Sequence, residues 1–179
     1  MNIPNKLTIL RILLIPFFLT FFFFDWNGSR LIALLIFAIA SITDMADGII
    51  ARKRDKITDF GIIMDPLADK LLVSSALIAL AWTHEISPLV AIVIISREFI
   101  ITGFRTLAAS RNLIMSASIT GKGKTVCQMI MVIFILANFT WMGSNLIKQI
   151  LITIVLIITI VSAIEYIIKN RKIFKQMEI

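Results

Sequence analysis

Cysteine, histidine and tyrosine occur once each in 179 residues. With Cys127 alone, no intramolecular disulfide can form, and its ordinary role is that of a small packing residue. One cysteine and one histidine are too few ligands for a zinc site. His84 follows an apolar stretch in a short loop, where a solvated side chain is expected. Acidic residues are also scarce, 11 against 18 Lys and Arg, which gives a formal charge of +7. Long polar runs, low-complexity segments and internal repeats are missing. No soluble element is left to carry a basic nucleic-acid surface, so no nucleic-acid partner is expected.

Apolar residues fill the space. They make up 59% of the chain, and mean hydropathy is +0.95. Soluble domains sit nearer about 45–50%, so an integral membrane protein is expected. A span needs about 20 apolar residues. Six stretches qualify, near 7–24, 31–50, 60–82, 88–109, 126–143 and 146–168. The expected fold is an all-α membrane bundle of six transmembrane helices, one domain over 1–179. The first stretch carries no small-residue cleavage site and reads as a retained span.

The basic residues are unevenly placed. If six spans alternate, all Lys and Arg except Arg30 and Lys148 fall on one side. Cytoplasmic loops carry such an excess, so both termini are expected in the cytoplasm. Trp26, Trp82 and Trp141 each close an odd-numbered span. That puts all three at the outer interface, where tryptophan is enriched. Attraction to anionic membrane lipids accounts for the basic tail and for Lys53, Arg54 and Lys56. It does not account for Arg97 and Arg105, which lie in or at the end of an apolar segment, beside Glu98.

Two aspartate clusters interrupt the hydrophobic sequence: Asp44-Met45-Ala46-Asp47-Gly48 and, further on, Asp65-Pro66-Leu67-Ala68-Asp69. Ionisable groups in spans are costly and normally line a functional cavity. Helix positions three and four apart share a face. Asp44, Asp47, Gly48 and Ala51 therefore form one stripe, and Gly61, Asp65 and Asp69 another. The short link between them favours antiparallel neighbours whose stripes can face each other. Close carboxylates repel unless cations balance them. Hard oxygen ligands favour Mg²⁺, Mn²⁺ or Ca²⁺, and Mg²⁺ keeps positions open for phosphate oxygens. A network salt-bridged to Lys70 and Arg52 is the plainer reading, but it leaves two negative charges over. Gly48, Ala51 and Gly61 leave room for a ligand or for helix packing. Arg52 has either a diphosphate or Asp55 as its partner.

Asp44-x-x-Asp47-Gly48-x-x-Ala51-Arg52, eight residues, Gly61-x-x-x-Asp65-x-x-x-Asp69 is the signature of the CDP-alcohol phosphatidyltransferase family, which this chain resembles at every fixed position. The resemblance implies six transmembrane helices, a homodimer and a polar cavity open to the cytoplasm. It implies two Mg²⁺ (or Mn²⁺) ions held by Asp44, Asp47 and Asp65. Asp69 matches a metal-site neighbour that acts as general base. Gly48, Ala51 and Arg52 match positions near the cytidine and diphosphate of a CDP-diacylglycerol donor, and Gly61 belongs to the same surroundings. The implied location is the cell membrane, as a multi-pass protein with its active site facing the cytoplasm.

Segments outside the signature resemble the branch of the family whose acceptor is glycerol 3-phosphate. They include Pro4–Arg11, Arg97–Arg105, Ala108–Arg111 and Gly121–Thr125. A dianionic acceptor calls for basic groups. Arg97, Arg105, Arg111 and Lys124 are the candidates, with Lys122 beside them. Arg97 and Arg105 lie about two helical turns apart, which suggests one side of a span. For Arg111 and Lys122 a membrane-surface role stands as the alternative. Asn5, Thr8 and Arg11 meet the donor phosphates on one reading. On the other they cap the first helix and snorkel. Rival functions are the same chemistry with another acceptor, making cardiolipin or a phosphatidylinositol phosphate, and a divalent-cation transporter. The transporter lacks the inverted repeats and interrupted helices that such proteins often show.

Overall fold

A computed structural model describes the backbone of residues 3–51, 59–111, 113, 115 and 119–176, and side chains over 9–43, 67–68, 70–111, 113, 115, 120–171 and 173. Six helices and no strand occur among the described residues: α1 Ile3–Phe23, α2 Ser29–Ala51, α3 Asp59–Trp82, α4 Pro88–Ser110, α5 Ile119–Ala137 and α6 Ser144–Gln176. The chain forms two units. One comprises Met1–Glu85 with Ile133–Phe139, and the other Ile86–Val132 with Thr140–Ile179.

In the first unit α1 packs along both α2 and α3. The α1–α2 seam is aromatic on one side and small on the other. Phe18 meets Phe37 with ring centroids 5.9 Å apart, while Ala33 and Ala40 are fully buried. Small residues let helices approach closely where lipid supplies no hydrophobic drive. The α1–α2 turn uses Gly28 at φ +101°, open to glycine at no steric cost. Ser29 Oγ donates to the Phe24 carbonyl at 2.7 Å and closes the turn. At the end of α3, His84 takes a left-handed conformation, φ 59°. The Glu85 N–H then reaches the Leu80 carbonyl at 2.9 Å, a Schellman-type closure. His84 is solvent-exposed there. Arg30 Nη2 donates to Glu85 Oε1 at 2.6 Å, and its guanidinium lies 5.8 Å from the centroid of Phe22. This pair ties the start of α2 to the end of α3, so the two run in opposite directions.

In the second unit α4 packs against α6. Ser87 precedes α4 and Pro88 opens it, where a missing N–H costs nothing. The buried line of α6 is largely polar: Thr159, Ser162, Tyr166 and Asn170. Its outer surface is aliphatic, with Leu146, Ile150, Ile154, Ile157, Ile160 and Ile164 all exposed. Water would penalise a patch of that size. Lipid does not, and polar groups of a span turn inward.

Among the described residues two helices are long and apolar enough to cross a bilayer, Thr120–Ala137 in α5 and Ser144–Arg171 in α6. Their bounds depart from the hydropathy pattern. α5 starts at Ile119 and not near 126, because Gly121-Lys122-Gly123-Lys124 is helical despite its charge. It stops at Ala137, where Asn138 turns left-handed at φ 49°. α6 runs on to Gln176 through Lys169 and Arg171. Hydropathy marks where lipid contact ends, whereas a helix ends where its hydrogen bonds are redirected.

Candidate active site

The aspartates lie on α2 and α3 of the first unit. Their depths follow from helical rise, about 1.5 Å per residue. Counted from the end tied by Arg30 and Glu85, Asp44 is 15 residues into α2 and Asp69 is 13 residues back from Trp82. Those counts give about 22 Å and about 20 Å. Asp47 and Asp65 come out at about 27 Å and about 26 Å. On straight helix axes the four positions would pair into two similar depths, away from the end that carries exposed Trp26 and Trp82.

Register agrees with depth. The buried line of α2 is Ala33, Phe37, Ala40 and Ser41, and further steps of three and four reach positions 44 and 48. The buried line of α3 is Ala68, Leu72, Ala76 and Leu80, and backward steps reach 65 and 61. The side chains of Asp44, Asp47, Gly48, Ala51, Gly61, Asp65 and Asp69 lie outside the described residues, as does Arg52 altogether. No group of three metal-ligating side chains occurs among the described residues. As a donor set, four carboxylates suit a hard divalent cation.

Arg11 on α1 lies about 18 Å from the end of α1 at Phe23 by the same rise. It is 3% exposed. A snorkelling arginine keeps its head in water, and this one does not. Ser41, one turn before Asp44, buries its hydroxyl with no hydrogen-bond partner among the described residues. Asn5 and Thr8 lie on α1, with side chains outside the described residues.

The second unit contains a buried ionic cluster. Glu98 on α4 accepts from two cations through Oε1: Arg97 Nη1 at 3.0 Å, and Lys124 Nζ from α5. Arg97 Nη2 donates to Ser162 Oγ on α6 at 3.1 Å. Lys124 is fully buried, and the side chains of Arg97 and Glu98 are 11% and 10% exposed. A second carboxylate, Glu165 on α6, accepts from the Thr120 hydroxyl on α5. Polar bonds thus join all three helices.

The acceptor candidates separate in this setting. Arg97 and Lys124 are enclosed and bonded to Glu98. Arg105 is exposed, although it stands on the buried line of α4 between Ile101 and Ala108. Eight residues are about 2.2 turns, so Arg97 and Arg105 project about 80° apart rather than along one line. Arg111 is exposed at the C-cap of α4, its N–H on the Ala108 carbonyl at 3.0 Å. Lys122 is exposed. In the sequence Glu98 stands only as a neighbour of Arg97, and Glu165 carries no motif; the signal that marks both is a carboxylate inside an apolar run.

A family model for CDP-alcohol phosphatidyltransferase matches residues 1–161. The chain belongs to the CDP-alcohol phosphatidyltransferase family. Among relatives of this phosphatidyltransferase, a Bacillus subtilis (strain 168) protein is 39% identical over 188 residues, covering 97% of each chain. A Rickettsia bellii protein is 36% identical over 178 residues, again 97% of each. A Haemophilus influenzae protein is 39% identical over 173 residues, 92% of this chain and 91% of its own. All three are named CDP-diacylglycerol–glycerol-3-phosphate 3-phosphatidyltransferase. Family membership and the two apolar helices mark this phosphatidyltransferase as a membrane protein.

Proposed function

We propose that the chain transfers the phosphatidyl group of CDP-diacylglycerol to glycerol 3-phosphate, yielding phosphatidylglycerophosphate and CMP. The observation that carries this reading is similarity over nearly the whole chain to enzymes of that name, joined to a complete aspartate signature on α2 and α3.

In this reaction the acceptor hydroxyl oxygen attacks the phosphorus that bears diacylglycerol. A new P–O bond forms, the P–O bond to the CMP moiety breaks, and CMP leaves with the bonding pair. The hydroxyl proton passes to the Asp69 carboxylate, acting as general base. Asp44, Asp47 and Asp65, with Asp69 beside them, would hold two Mg²⁺ or Mn²⁺ ions. Bound there, such ions supply charge neutralisation for the diphosphate and the leaving phosphate. Gly48, Ala51, Arg52 and Gly61 receive the nucleotide and diphosphate. Buried Arg11 adds positive charge for the donor, with Thr8 one turn and Asn5 about two turns before it on α1. Arg97, Arg105, Arg111 and Lys124 receive the phosphate of the acceptor.

We further infer six membrane spans, both termini in the cytoplasm, an active site open to that side, and a homodimer. Basic-residue asymmetry and the placement of Trp26, Trp82 and Trp141 support the orientation. CMP release by purified protein tests the function, with glycerol 3-phosphate, phosphatidylglycerol, inositol phosphate and serine compared as acceptors. Release only with glycerol 3-phosphate is expected. Release with another acceptor alone overturns the substrate assignment, and none with any overturns the reaction.

A further inference from the structure

Glu98 lies outside the aspartate signature, yet it gathers two basic groups of the second unit, Arg97 and Lys124. One oxygen, Oε1, accepts from both Arg97 and Lys124. The contact with Arg97 is not one that a helix gives freely. Adjacent residues on a helix do not face each other, so the Arg97 side chain must curl back across α4. Its second anchor, Ser162 Oγ at 3.1 Å, holds the guanidinium from α6. Lys124 is drawn in from α5 to the same carboxylate.

Long basic side chains lose considerable rotamer freedom when an anion fixes them. Fixing them beforehand removes that cost from binding. We propose that Glu98 is a positioning residue for acceptor binding, which presets Arg97 and Lys124 for the phosphate. Ser162 completes the device by setting the plane of the guanidinium fork. The inference rests on the reading that these two cations take the acceptor phosphate.

Simple electrostatics and positioning predict opposite signs. The Glu98 carboxylate repels a phosphate dianion, so removing its charge alone should tighten acceptor binding. Removing a positioning group should weaken it. The test is steady-state kinetics of folded variants in detergent–lipid micelles. Glu98→Gln is expected to raise the KM for glycerol 3-phosphate about ten-fold, the scale of one charge-assisted bond. The KM for CDP-diacylglycerol should move less than about two-fold, and Glu98→Asp should recover part of the loss. Ser162→Ala keeps every charge and is expected to raise the acceptor KM about three- to ten-fold.

An unchanged or lowered acceptor KM in Glu98→Gln overturns the proposal. So do equal rises for both substrates. If Glu98→Gln does not fold, Ser162→Ala decides, and an unchanged acceptor KM there overturns it. Arg105→Ala separates this inference from the reading beneath it. If Arg105→Ala raises the acceptor KM while the Glu98 and Ser162 variants do not, the acceptor site stands and positioning falls. If none of the three raises it, both fall.

Discussion

Lys124→Met severs the buried ion pair and leaves the carboxylate behind. Lys124 is fully buried and the Glu98 side chain only 10% exposed, so water cannot readily replace the lost partner. One charge-assisted hydrogen bond contributes about 1.5–3 kcal/mol. Stranding a buried partner raises the cost of such a break to about 3–5 kcal/mol. Two features place this site at the low end. Glu98 keeps Arg97 at 3.0 Å, and methionine fills most of the volume that lysine occupied. The expected destabilisation is about 3 kcal/mol. Glu98→Gln with Lys124→Met removes both charges together and leaves an amide oxygen for Arg97. The double variant should therefore recover at least half, about 1.5 kcal/mol relative to Lys124→Met, and the coupling exceeds that by whatever Glu98→Gln costs alone. Unfolding in mixed detergent micelles, by heat and by denaturing detergent, measures all three variants. A Lys124→Met protein as stable as the parent refutes the reasoning. So does a double variant whose losses simply add.

Asp69→Asn should lower turnover about 10²- to 10⁴-fold with donor binding retained, read by single-turnover CMP release and a CDP-diacylglycerol binding assay. Asp44→Asn should instead weaken metal and donor binding together, and normal donor affinity in that variant would remove it from the ligand set. Activity should vanish in excess EDTA and return with Mg²⁺ or Mn²⁺, whereas full turnover in chelator would end the metal-dependent mechanism. Arg105→Ala should raise the KM for glycerol 3-phosphate about ten- to a hundred-fold, and Arg97→Lys should fall between Arg97→Ala and the parent because it keeps charge without the fork.

The helical class and the helical placement of the aspartates were legible because each rests on a strong local signal. Apolar runs announce spans, and four carboxylates inside them have no cheap alternative. The similar depths that straight helices would give Asp44 with Asp69 and Asp47 with Asp65 were half legible. Spacing gave each stripe, but the pairing level depends on Arg30 meeting Glu85, 55 residues away. The start of α5 was misplaced because charge at Lys122 and Lys124 reads as loop, and only tertiary burial makes a lysine an interior residue. Arg97 and Arg105 looked alike in sequence. They differ because Glu98 and Ser162 capture one and not the other, a distinction that needs α4 and α6 packed together. Glu98 was visible as a residue but not as a hub, since its partners lie on different helices.

The Arg30–Glu85 pair has a consequence for how this chain can vary. It fixes a zero point from which both aspartate-bearing helices are measured. Between that point and the aspartates the positions are mostly apolar or small, Lys70 and His84 apart, and at the lipid-facing ones such as Leu31, Leu35, Ile39 and Ile78 one apolar side chain can replace another at modest cost. Length is different. One residue added to α2 between Arg30 and Asp44 would lift that cluster by about 1.5 Å and turn it by about 100°. The same change in α3 would do this to Asp65 and Asp69 alone. The lipid-facing positions of the two segments are thus free in composition while both segments are rigid in length, so gaps should be purged from them even where substitutions accumulate.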